Sequence, residues 1–189
     1  MEKHDRRLNR LQNYDYSQNG LYFITICTKD RIPYLSEIYD VGNAALGVQK
    51  SSELMSVGDG VLDVPYVKLT EYGKILNDQI IEMNSIYKKS QIIKYVIMPD
   101  HLHMIIYLFD DDNVLGGTSR TPSPTNAVIP SIISTLKRFV NKKIGLNIWQ
   151  RSFHDHIIRN EKEFLEICDY IDNNPINWVN DIYNQNYWR

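Results

Sequence analysis

Two apolar runs, QIIKYVIM (91–98) and HLHMIIYLF (101–109), are separated only by Pro99 and Asp100. Both residues suit the middle of a tight turn, so the stretch predicts a buried β-hairpin. Side chains two apart in a strand share a face, which puts His101, His103 and Ile105 on one side and Leu102, Met104 and Ile106 on the other. The two imidazoles therefore stand side by side. Neutral imidazole is the commonest protein nitrogen ligand for divalent ions, and this spacing lets both rings reach one cation. The same pattern also fits half-exposed histidines satisfied by backbone or water. The pair has no third ligand of its own, so it leaves both readings open.

Bulk properties narrow the partners. At 189 residues the chain is long enough to bury about 70% of its unfolded surface in one domain, expected over residues 1–189. The formal charge is −2, so a nucleic-acid site has to be a local basic patch and not a property of the whole surface. The opening MEKHDRRLNRLQNYDYSQ is polar, and no segment reaches the ~18 consecutive apolar residues of a membrane span. A cytoplasmic location without membrane contact is expected. Cys27 and Cys168 lie far apart in a strand-like and a helix-like segment, which reads as two small core residues and not as a disulfide framework.

Along the chain, strand and helix signals interleave. GLYFITICTK (20–29) is rich in aromatic and β-branched residues and reads as a strand. Residues 30–68 form an irregular excursion with short strands at most. TEYGKILNDQIIEMNSIYKK then places Leu76, Ile80, Met83 and Tyr87 at helical spacing behind a Thr70 cap. Beyond the hairpin, residues 110–128 are rich in Gly, Ser, Thr and Pro and read as a flexible linker inside the domain. A second helix is expected from Pro130, with Ile133, Leu136, Phe139 and Val140 inward and Lys137, Arg138, Lys142 and Lys143 largely outward. IWQRSFHDHIIR reads as a strand. A third helix opens at Asn160, with Glu163 completing a capping box, and is expected to stop near Asn173 ahead of Pro175. This order favours an α+β fold, with helices packed on an antiparallel sheet.

Two further features bear on chemistry. FHDH repeats the histidine spacing, with His154 and His156 on one face and Asp155 on the other; it is either a second ligand pair or a solvated strand flanked by Arg151 and Arg159. In CDYIDNNPINW, the expected apolar face of the helix is Phe164, Leu165, Cys168 and Ile171, and Tyr170 falls away from its centre. Asn174 lies one turn later and would come near Tyr170 if the helix lasts that far, although Pro175 disfavours helical backbone at Asn174.

These residues carry a resemblance. MPDHLHMII resembles the histidine–hydrophobe–histidine signature of single-tyrosine transposases of the HUH type, and IWQRSFHDHIIRNEKEFLEICDYIDNNPINW is similar to the second half of REP-associated tyrosine transposases. NYDYSQNGLYFITICTKDR and SRTPSPTN extend the match over most of the chain. The resemblance implies a ferredoxin-like antiparallel sheet that carries His101 and His103, with a helix bringing Tyr170 over them. It implies cleavage of single-stranded DNA beside a hairpin and strand transfer through a 5′-phosphotyrosine. His101 and His103 would hold Mg2+ or Mn2+, and Asn174 stands where such enzymes place a further ligand, commonly an amide. Asp100 occupies a position where the family commonly has Asn, a loop site expected to change turn geometry little.

Physical chemistry is compatible with these roles. A free tyrosine has a pKa of about 10 and is a poor nucleophile at neutral pH, so the phosphate must be made more electrophilic. Candidate DNA contacts are Arg6, Arg7, Arg10, Lys137, Arg138, Lys142, Lys143, Arg151, His154, His156 and Arg159. Trp149, Phe153 and Trp178 fit either base stacking or core packing, with core packing the simpler reading. Two other functions stay open: a catalytically idle hairpin-binding or regulatory protein, and a metal phosphodiesterase that uses water. Monomer and homodimer are both compatible with the sequence.

Overall fold

The computed structural model describes residues 18–39, 65–109 and 128–180. The linker region and Arg6, Arg7 and Arg10 lie outside the described residues, except that Val128 opens a helix. Among the described residues, six strands and three α-helices follow in order: β1 (Gly20–Cys27), β2 (Ser36–Tyr39), β3 (Tyr66–Leu69), α1 (Glu71–Ile86), β4 (Ser90–Ile97), β5 (His101–Leu108), α2 (Val128–Ile144), β6 (His154–Ile158) and α3 (Glu161–Asn180). Strands β4-β5-β1-β6 form one antiparallel sheet in that spatial order, and β2 and β3 form a separate two-stranded ribbon. Helices α1 and α2 connect the strands of the main sheet, which gives the ferredoxin-like arrangement.

The pleat explains the layers. Tyr22, Ile24 and Ile26 of β1 and Leu102, Met104 and Ile106 of β5 point to one face, where they pack with Leu76, Ile80 and Met83 of α1 and Ile129, Ile132, Ile133, Leu136 and Val140 of α2. The other face carries a smaller cluster, Ile105, Ile158 and Ile171, with Leu21, Phe23, Val96, Phe164, Ile167 and Cys168 around it. Strand β5 is thus buried on both sides, and the α3 side is where its histidines face.

Local signals account for the helix starts. Thr70 caps α1, its hydroxyl accepting from Gly73 N at 3.1 Å, and Asn160 accepts from Glu163 N at 2.9 Å while Glu163 accepts from Arg159 N at 2.7 Å. Pro99 and Asp100 fill the two positions between Met98 and His101, whose backbones join at 2.8 Å. Four details depart from expectation. Helix α2 begins two residues before Pro130. Only His154–Ile158 of the expected last strand pairs with β1, with Trp149 making a single bridge to Thr28. Leu165 is exposed at 54%, and Ile167 takes the inward place. Helix α3 continues through Pro175, because Ile171, Asn174 and Pro175 are all buried and their packing outweighs the one backbone hydrogen bond that proline removes.

Gly73 is required by a close approach. A Cβ there would stand 1.9 Å from the Leu35 carbonyl oxygen, a backbone atom that cannot rotate away. Alanine normally gains about 1 kcal/mol over glycine in a helix, but overpacking of about 1–3 kcal/mol or more opposes it here. Gly73→Ala should therefore lower the melting temperature; an unchanged or raised Tm would show that α1 shifts freely from the 34–36 segment.

Candidate active site

Register places the polar groups. Pairing of β1 with β5 sets Cys27 opposite His101 and Thr25 opposite His103, so Thr25 shares the histidine face. Its hydroxyl lies 2.8 Å from His103 Nδ1, and Phe23 stacks on the same imidazole at 5.3 Å between ring centroids. The His101 and His103 rings are 4.5 Å apart, edge to face. His101 Nδ1 meets the Asp100 carboxylate at 2.5 Å. A carboxylate only accepts, so that nitrogen carries a proton, and in the neutral ring Nε2 has the lone pair.

Helix α3 brings the tyrosine. Tyr170 Oη stands 3.3 Å from His103 Nε2, and its ring meets Phe23 edge-on at 6.0 Å. The residue is 44% exposed. Eight residues later, Trp178 lies 5.8 Å from the His101 ring. Residues four apart share a helix face, so Asn174, midway between these two contacts and 6% exposed, lies on the stripe that covers the histidines. Lys94 Nζ to Asp172 at 2.8 Å ties the helix to the edge strand β4.

Burial, reinforced by the neighbouring His101 and by Arg31, pushes His103 down to about 3, so its imidazole is neutral near pH 7. A neutral ring is what a cation needs. Among the described residues no group of three or more His, Cys, Asp or Glu side chains is placed to hold a metal. The donor set would be two imidazoles and the Asn174 amide, which together with substrate oxygens suits Mg2+ or Mn2+.

The other candidates fall in different places. His154 and His156 share the sheet face of His103, since His154 pairs with Thr25 and His156 with Phe23, but β1 stands between the two histidine pairs. They do not form one site with it. His156 Nε2 instead meets Glu163 at 2.6 Å, and Glu163 is held below the usual carboxylate range, first by the Arg159 backbone N–H and then by His156. Lys137 is not outward as expected: its amine donates to the Gln150 and Ser152 carbonyls at 2.8 Å each, and burial pushes it down to about 8. Arg138, Lys142, Lys143, Arg151 and Arg159 are exposed. Trp149 is a core residue at 4% exposure, and Phe153 packs against the same core.

Four contributors escaped the sequence reading: Thr25, Phe23, Asp100 and Arg31. Thr25 and Phe23 are fixed only by strand register, which one sequence does not print. Asp100 is no bland loop position; it is buried at 7% and bonded to His101, a contact its adjacency to the histidine could have suggested.

No family model matches the chain. A Haemophilus influenzae protein of uncharacterised function is 32% identical over 94% of this chain and 92% of its own length. A second Haemophilus influenzae relative, assigned to the REP-associated tyrosine transposases, is 25% identical over 88% of this chain and 77% of its own. The REP-associated tyrosine transposase of Escherichia coli K12 is 29% identical over 58% of this chain and 54% of its own. The chain is similar in sequence to REP-associated tyrosine transposases. A solved REP-associated tyrosine transposase bound to a REP hairpin shares the fold of this chain, with a TM-score of 0.53 at 22% identity over 89% of this chain and 73% of that one. Among the described residues, no helix is long and apolar enough to cross a membrane.

The His103 environment predicts an acid-labile fold. An unfolded histidine titrates near 6.5, whereas folded His103 titrates near 3. Between those values the unfolded chain binds a proton that the native state does not, so stability is complete above about 6.5 and falls as pH drops toward 3. Urea unfolding in the presence of EDTA should show this slope, and His103→Gln should flatten it; an identical slope in the variant would contradict the assignment.

Proposed function

We propose that the protein cleaves single-stranded DNA beside a hairpin and transfers the strand through Tyr170. The observation that carries this reading is the Tyr170 hydroxyl, on a half-exposed side chain and 3.3 Å from a buried neutral histidine of the same chain. A protein that only bound hairpins would have no need of a phenol at that nitrogen. The relative whose structure was solved with a REP hairpin supports hairpin DNA as the substrate class.

In this reading, Tyr170 Oη forms a bond to phosphorus as its own proton passes to solvent, and the bond from phosphorus to the 3′ oxygen breaks. The strand is then held as a 5′-phosphotyrosine, and the departing 3′ hydroxyl takes its proton from solvent. A Mg2+ or Mn2+ ion held by His101, His103 and Asn174 would supply charge stabilisation at a non-bridging phosphate oxygen. The chain's own residues do the rest. Phe23 meets the tyrosine ring edge-on, and Thr25 at Nδ1 leaves His103 Nε2, the nitrogen beside the phenol, as the one that would hold the cation. Retaining the strand on tyrosine conserves a phosphoester for rejoining, which transfer to water would not. The exposed cations Arg138, Lys142, Lys143, Arg151 and Arg159 are candidate backbone contacts, as is the exposed His154.

Incubation with Mg2+ or Mn2+ and an end-labelled hairpin strand should give a protease-sensitive, slowly migrating band on a denaturing gel. Tyr170→Phe should lose the band and the cleavage while retaining hairpin binding, and His101→Ala should lose the metal-dependent cleavage. Cleavage that persists in Tyr170→Phe would overturn the nucleophile assignment.

A further inference from the structure

Asp100 is fixed from three sides. Its backbone carbonyl accepts from Thr28 N at 2.8 Å and from Thr28 Oγ1 at 3.0 Å, its Oδ2 lies 3.5 Å from Arg31, and its Oδ1 lies 2.5 Å from His101 Nδ1. Arg31 reaches it from an uncommon backbone. Both Asp30 and Arg31 have φ of 55°, the left-handed region that residues with side chains rarely adopt and that often marks a functional constraint. An imidazole without such a partner is free to carry its proton on either nitrogen, and only one of the two tautomers leaves Nε2 able to bind a cation.

We propose that Asp100, steadied by Arg31, is a positioning residue that fixes His101 with its proton on Nδ1 and its Nε2 lone pair directed to a divalent cation. The proposal rests on the cation site described above. Imidazoles that bind metals generally donate their other N–H to a carboxylate, carbonyl or water, and losing that partner costs about 10- to 100-fold in metal affinity. A carboxylate contributes both an acceptor and a negative charge, whereas an amide at this position contributes the acceptor alone. The distinction separates two variants. Asp100→Asn keeps the hydrogen bond and loses the charge; Asp100→Ala loses both.

The test reads tautomer and affinity separately. Long-range 1H–15N spectra of the metal-free full chain near neutral pH report which His101 nitrogen is protonated, and calorimetric titration with Mn2+ reports binding without DNA. Wild type and Asp100→Asn should show the proton on Nδ1, and Asp100→Ala should shift it toward Nε2. Both variants should bind Mn2+ about 10- to 100-fold more weakly than wild type, with the larger loss in Asp100→Ala. An unchanged His101 tautomer in Asp100→Ala, or unchanged Mn2+ affinity in both variants, would overturn the proposal and leave Asp100 a turn residue only. Because the tautomer is read without metal, a wild-type protein that shows it as expected yet takes up no Mn2+ would overturn the cation reading itself.

Discussion

The pairing of β1 with β5 is the constraint on which the site depends. That register sets Thr25 beside His103 and turns Phe23, Thr25, His101 and His103 to one face, while Tyr22, Ile24, Leu102 and Met104 fill the core on the other. A shift of one residue would exchange the two faces and bury the imidazoles among aliphatic side chains without a partner. The large core under α1 and α2 makes such a shift costly, so the residues that stabilise the fold also hold the polar site in place.

Helix α3 completes what the sheet begins. Its inward residues, Phe164, Ile167, Cys168 and Ile171, close the second cluster against Ile105 and Ile158. Continuing past Pro175, the same helix lays Tyr170, Asn174 and Trp178 at four-residue intervals over the histidines. One rigid element therefore carries the phenol, the amide and an aromatic cover, and a single chain supplies both halves of the site. The cap at its start, built from Asn160, Glu163 and His156, fixes where that stripe begins.

Much of this was legible in the sequence, for identifiable reasons. The hairpin at Pro99 and Asp100, the Thr70 cap, and the inward faces of α1 and α2 follow from local chemistry and periodicity, which tertiary contacts reinforce here. The path of α3 through Pro175 was not legible, because packing at Asn174 and Pro175 overrides a local rule. Nor was the burial of Lys137, whose amine is satisfied by carbonyls at Gln150 and Ser152, in a loop whose course no period predicts. The roles of Thr25 and Asp100 lie in cross-strand and turn geometry, which a pattern of residue types does not encode.

The central claim is that one tyrosine of this chain becomes joined to DNA. The chain contains thirteen tyrosines, so location is the decisive question. The covalent complex with hairpin DNA can be digested with protease and nuclease and the nucleotide-bearing peptide sequenced by mass spectrometry. The account predicts that the nucleotide mass resides on Tyr170. Attachment to another tyrosine, or recovery of every tyrosine unmodified from a reaction that has cleaved the strand, would contradict it.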